Sequence, residues 1–236
     1  MRLPARSAAD VHLAEAFEGP GCPLCAEVAR TNAAWLESIL SESVNDIPFR
    51  QALDHARGFC RRHAREILDA DRRRSGSLGA AILLRASLVA RLRELETVHA
   101  TRGRERSRRA DSASRQPACP GCAREQATEA WLAGAVVRLA DDPAWSDAVG
   151  AAPVCLNHVI GLLRERTTSA GWAAAEVRQI ERLRDLRDLL EAFAHASSHD
   201  RRHLQTDEQR AAVDLAADLL AGDTARHPGT ARIRQA

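Results

Sequence analysis

Tyrosine and lysine are absent from this chain of 236 residues, methionine occurs once, and aromatic residues make up only 3%. A core of stacked rings is therefore excluded. With 45% apolar residues, the interior must be built of Leu, Val, Ile and Ala, helped by a few Trp and Phe. Ala and Leu are strong helix formers, and runs of β-branched residues are scarce, so strands are not expected. Long hydrophobic runs are missing as well. An uninterrupted apolar run such as Ala80 to Leu84 falls far short of the roughly 20 residues that a membrane helix needs. Met1 to Phe17 has no apolar stretch and carries Asp10 and Glu15, which argues against a secretory signal. A cytoplasmic protein is expected. Every one of the 34 basic residues is Arg, as a GC-rich coding sequence would produce. They nearly balance 32 acidic residues, and the net charge of +2 gives no reason to expect nucleic acid as a partner.

What is present is organised around cysteine. Cys22-Pro23-Leu24-Cys25 is followed, after 34 residues, by Cys60-Arg61-Arg62-His63. Cys119-Pro120-Gly121-Cys122 is followed, after 32 residues, by Cys155-Leu156-Asn157-His158. These two blocks use all six cysteines. Three thiols per block cannot pair off as disulfides within a block, and a histidine at a fixed place has no role in a disulfide framework. Three thiolates and one imidazole are, in contrast, a complete ligand set for tetrahedral zinc. The expected sites are Cys22, Cys25, Cys60 and His63 in the first block, and Cys119, Cys122, Cys155 and His158 in the second. His55 also lies near Cys60, but its counterpart in the second block is not histidine, which selects His63. Two Zn²⁺ ions are the expected cofactors. An iron–sulfur cluster is the alternative, since its ligands are also mainly thiolates. A thioredoxin-like dithiol is disfavoured because no strand precedes either C-P-x-C.

The blocks correspond beyond their ligands. Trp35 follows Cys25 by ten residues and Trp131 follows Cys122 by nine; the offset between blocks is 97 residues at the first cysteine and 95 at the histidine. This suggests an all-α protein of two tandem pseudo-repeats with about four helices each. Apolar spacing predicts helices over about 23–44, from 48 to near Gly58, from 60 to the 72–76 break, and over 77–100. The second block repeats the plan over 120–140, from 143, over 156–166 and over 169–196. The domain plan is thus an N-terminal segment 1–21, a first repeat 22–101, an Arg/Ser-rich linker 102–116, a second repeat 117–200 and a C-terminal helix and tail 201–236. Within the last, Thr206 and Gln209 read as a capping box and Gly222 as a helix stop.

Helix starts explain the ligand spacing. Pro23 and Pro120 suit a first helical position. Cys22 and Cys119 then sit at the N-cap, with Cys25 and Cys122 one turn inside, where unpaired N–H groups and the positive end of the helix dipole favour thiolate. Cys60 and His63 should open a second helix in the same way. Asp46 and Asp142 read as capping residues, and Trp35 and Trp131 as core anchors behind each site. His195, His199 and His203 are spaced to share a helix face, but the polar surroundings suggest a solvated helix end. The arginines of 102–115 have no interleaved aromatics to stack bases, so a solvated linker is favoured over a nucleic-acid patch. No Gly-rich phosphate loop, nucleophile elbow or H-E-x-x-H motif occurs.

The paired C-P-x-C…C-x-x-H blocks, Asn45-Asp46, Gly58-Phe59-Cys60 and the late His199-Asp200-x-Arg202 stretch together resemble an uncharacterised bacterial family of unknown function. The resemblance spans about Cys22 to Gly222 and implies the duplicated architecture without implying an activity. The expectation is a non-catalytic, zinc-stabilised helical module that binds another protein or acts as an adaptor, with a homodimer as a further option. A thiol-based redox or metal sensor and an iron–sulfur electron-transfer protein are the alternatives.

Overall fold

The computed structural model describes residues 3–4, 8–74, 76–115, 117–165, 169–197 and 205–222, and no strand occurs among them. The helices are α1 (Ala8–Glu18), α2 (Pro23–Ser38), α3 (Ile47–His55), α4 (Arg61–Arg74), α5 (Leu78–Ala100) and α6 (Gly103–Ser114). They are followed by α7 (Pro120–Ala140), α8 (Ser146–Ala151), α9 (Leu156–Leu162), α10 (Ala170–Ala196) and α11 (Asp207–Ala221). A π-helical turn, Ile39–Ser43, prolongs α2. The all-α expectation holds. No described helix is long and apolar enough to cross a membrane.

Two compact units emerge, and they do not follow the boundaries 22–101 and 117–200. One comprises Met1–Ala29 with Thr128–Ala236; the other is the continuous stretch Arg30–Ala127. Both divisions fall inside a long helix, α2 in the first case and α7 in the second.

In the discontinuous unit, Leu24, Val28, Leu132, Val136, Trp145, Val149, Leu162 and Trp172 form the core. The N-terminal segment belongs to it. Leu13 of α1 is buried there, Phe17 meets Trp145 edge-on at 5.8 Å between ring centroids, and the Trp145 indole N–H donates to the Pro4 carbonyl at 3.2 Å. A smaller cluster joins α10 to α11 through Leu186, Ala212, Ala216 and Leu219. The Thr206–Gln209 capping box starts α11 as its sequence suggests, and Gly222 ends it at φ 74°. At the other end of the unit, α10 begins flush against the end of α7. Asp141 accepts from the Gly171 N–H at 2.9 Å and from the Ser169 hydroxyl at 2.8 Å. A Cβ at position 171 would stand 2.1 Å from the Ala140 carbonyl oxygen. Backbone cannot yield as a side chain can, so Gly171→Ala should lower stability by about 2 kcal/mol or more. Thermal unfolding followed by circular dichroism checks this; an unchanged Tm would refute it.

In the continuous unit, Leu36, Ile39, Leu53, Phe59, Ile67 and Leu83 form the core. Asp46 caps α3 as expected, accepting from the Phe49 N–H at 2.8 Å. The expected linker 102–116 is, however, largely helical. Arg is a good helix former, and Arg109 pairs with Glu105 one turn earlier at 2.9 Å. Cationic side chains from outside the helix then satisfy its last carbonyls: Arg57 donates to Ser112 O at 2.7 Å and Arg91 to Ala113 O at 3.1 Å.

Candidate metal centres

Four helix N-termini carry the eight expected ligands. Pro23 and Pro120 occupy first helical positions, so Cys22 and Cys119 precede their helices and Cys25 and Cys122 lie one turn inside. Cys155 is the N-cap of α9, and Cys60 immediately precedes α4, its carbonyl accepting from Ala64 N at 2.9 Å. Each cluster joins two such N-termini, as the sequence suggests, but the partners are exchanged. Cys22 and Cys25 meet Cys155 and His158, while Cys60 and His63 meet Cys119 and Cys122. The expected sets within one block, Cys22–Cys25–Cys60–His63 and Cys119–Cys122–Cys155–His158, are not formed. The intervening helices explain why. Residues 23–43 are helical throughout, which carries the chain about 30 Å from the first cysteine pair. The nine residues of α3 span only about 13 Å, too little to cover that distance again. The second block repeats this imbalance, with 21 residues in α7 and six in α8.

The geometry suits a four-coordinate ion. In the discontinuous unit, His158 Nδ1 lies 3.4 Å from Cys22 Sγ, 3.4 Å from Cys25 Sγ and 3.2 Å from Cys155 Sγ. In the continuous unit, His63 Nδ1 lies 3.2 Å from Cys60 Sγ, 3.2 Å from Cys119 Sγ and 3.6 Å from Cys122 Sγ. Sulfur pairs stand at 3.4 to 3.7 Å. Four donors at tetrahedral zinc distances are separated by roughly 3.5–3.8 Å, so both clusters need only slight relaxation to hold an ion. A disulfide, at about 2.05 Å between sulfurs, is absent from both clusters. His55 takes no part; its Nδ1 lies 2.7 Å from Gln51 O within its own helix.

Around these similar ligand sets the surroundings diverge. Gly222, at the end of α11, lies over the first cluster: a Cβ there would be 3.6 Å from both Cys25 Sγ and Cys155 Sγ. All four of its ligands are buried. In the second cluster His63 is fully buried, but Cys60 and Cys122 are partly exposed. The His63 ring rests directly on Gly121, where an added Cβ would fall 2.4 Å from Cδ2. Its Nε2 faces Glu125 at 3.4 Å and Glu66 at 3.8 Å. Arg62 forks onto Glu125 and also reaches Glu66 at 3.2 Å, while the Asn32 amide donates to Glu66 at 2.8 Å. This carboxylate shell orients the ring so that Nδ1 faces the three sulfurs and would be the ligand nitrogen of a bound ion. Glu125 and Glu66 escaped the sequence reading, yet each sits three residues after a ligand, on the same helix face. At the corresponding places in the other block stand Val28 and Gly161. His158 Nε2 has Glu129 at 3.8 Å.

Without an ion, burial acts first on these groups. It would lower the His63 pKa, but the Cys119 and Glu125 contacts prevail and raise it to about 10. Burial opposes ionisation of Cys119, yet His63 and backbone N–H groups bring that thiol down to about 6. Burial and the neighbouring Cys119 push Cys122 up to about 12. Burial would raise Glu125, but His63 and Arg62 hold it at about 2. Hydrogen bonds with Cys155 and Cys25, then burial, push Cys22 upward. At neutral pH an incoming cation must therefore displace protons from His63 and Cys122. Affinity at this centre should rise with pH, by roughly tenfold per pH unit for each proton displaced. Competition titrations with a chromogenic chelator at several pH values test the sign; a flat profile would contradict it.

Of the remaining candidates, Trp35 packs against Phe49 and the second core as expected, with the Arg124 guanidinium 5.8 Å from its ring centroid. Trp131 does not anchor a core; it is 49% exposed, and Trp145 fills the interior of that unit instead. His195 is solvent-exposed at the end of α10, whereas His199, His203 and the His199-Asp200-x-Arg202 stretch lie outside the described residues. No curated protein and no solved structure matches the chain. The model of DUF6062, a family of unknown function, matches residues 7–176, most of the chain, and the chain belongs to that family.

Proposed function

We propose that the chain is a zinc-stabilised helical module that docks another protein, with Cys22, Cys25, Cys155 and His158 holding one Zn²⁺ and Cys60, His63, Cys119 and Cys122 the other. The two complete Cys₃His clusters carry this reading. Zinc with four protein ligands leaves no coordination position open for a substrate, so its contribution is to folding. Structural zinc of this kind supplies apparent binding energy on the order of 10 kcal/mol. That term matters in a protein with 3% aromatics. A reducing cytoplasm suits six ligand thiols. Docking is supported by α5, where Leu88, Leu92 and Leu95 are 68%, 51% and 56% exposed at spacings that share one helix face.

Elemental analysis and an optical spectrum of anaerobically purified protein test the proposal. The expected result is two zinc ions per chain in a colourless protein whose helical circular dichroism falls in strong chelator. Absence of stoichiometric metal, or helicity retained in chelator, would defeat it. A brown protein with visible charge-transfer absorption would replace zinc by an iron–sulfur cluster.

A further inference from the structure

The two clusters share a donor set and differ in access. Gly222 covers Cys25 and Cys155, and all four ligands of that cluster are buried. In the other cluster Cys119 and His63 are buried, while Cys60 and Cys122 are partly exposed. A tetrahedral ion exchanges by stepwise replacement: an incoming donor bonds to the metal as one protein sulfur leaves. Such replacement needs a sulfur that solvent can reach, and two are available here. Exchange also needs a binding site that keeps its shape between occupants. Here the frame is held by contacts that involve no metal. His63 is seated on Gly121, Arg62 bridges Glu125 and Glu66, and Asn32 donates to Glu66.

We infer that the Cys60–His63–Cys119–Cys122 centre is an exchange site for a thiophilic divalent cation, whereas the Cys22–Cys25–Cys155–His158 centre holds its ion permanently. The inference rests on both clusters binding zinc. Two zinc ions would then have different duties. The sealed one maintains its unit, and the accessible one passes to or from an external donor with soft ligands, at no change in oxidation state.

The wild-type chain loaded with two zinc ions is sufficient for the test. It is treated with N-ethylmaleimide, zinc release is followed with a chromogenic chelator, and the alkylated cysteines are mapped by mass spectrometry over time. The expected course is biphasic, with one equivalent released at least tenfold faster than the second. Cys60 and Cys122 should be labelled during the first phase and Cys22, Cys25 and Cys155 only in the second. Release of both ions in one phase, or early labelling of Cys25 and Cys155, would overturn the inference. Failure of the zinc reading itself shows separately, as protein that carries no zinc before reagent is added. Cys155→Ala and Cys60→Ala proteins, each with one centre, provide a second measurement. The former should release its single ion fast and the latter slowly, and the reverse order would again overturn the inference.

Discussion

A chain carrying both Cys60→Ala and Cys119→Ala should retain one equivalent of zinc, whereas Cys25→Ala combined with Cys60→Ala should retain none. The first pair removes two ligands from one cluster; the second removes one ligand from each. Ligand sets confined to single blocks would give the opposite result, because Cys60 and Cys119 would then belong to different ions. Loss of one thiolate from a Cys₃His set leaves three donors and forfeits much of the roughly 10 kcal/mol that a structural zinc contributes. Occupancy of a damaged site should thus fall to near zero under mild dialysis against chelator. Metal analysis after such dialysis reads out the two double variants directly. One equivalent in both, or the pattern reversed, would disprove the exchanged pairing.

The second large effect concerns a residue with no donor atom. Gly121→Ala should abolish metal binding at the Cys60–His63–Cys119–Cys122 centre and leave the other centre filled. A Cβ at this position would stand 2.4 Å from His63 Cδ2 and 2.6 Å from Cγ and Nε2. The ring has little freedom to withdraw. It is fully buried, its Nδ1 is 3.2 Å from both Cys60 and Cys119 sulfur, and Glu125 stands 3.4 Å from its far nitrogen. Relief requires either the imidazole to leave the cluster or the first turn of α7 to shift, and each removes ligands. Ala is the better helix former at an exposed position, so a gain in stability would indicate that the contact is absent. Cobalt substitution offers a clean readout: wild-type protein should take up two tetrahedral, thiolate-ligated Co²⁺ ions and Gly121→Ala only one. Leu24 holds the equivalent place in the other block, which shows that the C-P-x-C turn does not itself demand glycine. The demand comes from the histidine laid across it.

Much of this site was legible because its chemistry is local. Proline after the first cysteine announces a helix start, and a thiolate at that start is stabilised by the N–H groups beside it. The same logic gave the N-cap at Asp46 and the capping box at Thr206. Pairing of the four ligand pairs was not legible from spacing. It depends on which helix ends meet, and that follows from the length of α2 against α3 and of α7 against α8. The α6 helix was missed for a related reason, since Arg57 and Arg91, distant in sequence, satisfy its last carbonyls. Trp131 and Trp145 are equally good core residues by composition. Only the packing of α1, through Phe17, shows that Trp145 is the one enclosed.

The exchanged pairing also sets an order of assembly. One cluster is bounded in sequence by Cys60 and Cys122, and that interval lies wholly inside the interval from Cys22 to His158 that bounds the other. A ribosome delivers the chain from its N-terminus. The inner ligand set is complete once residue 122 has emerged, while Cys22 and Cys25 must wait for another 36 residues, up to His158. The ligand set of the continuous unit can therefore close first, and that of the discontinuous unit later, across a sequence separation of 136 between Cys22 and His158. Loop-closure entropy grows only slowly with length, so nesting costs the finished protein little. Its consequence is kinetic: during synthesis the inner ring can shut before the outer one.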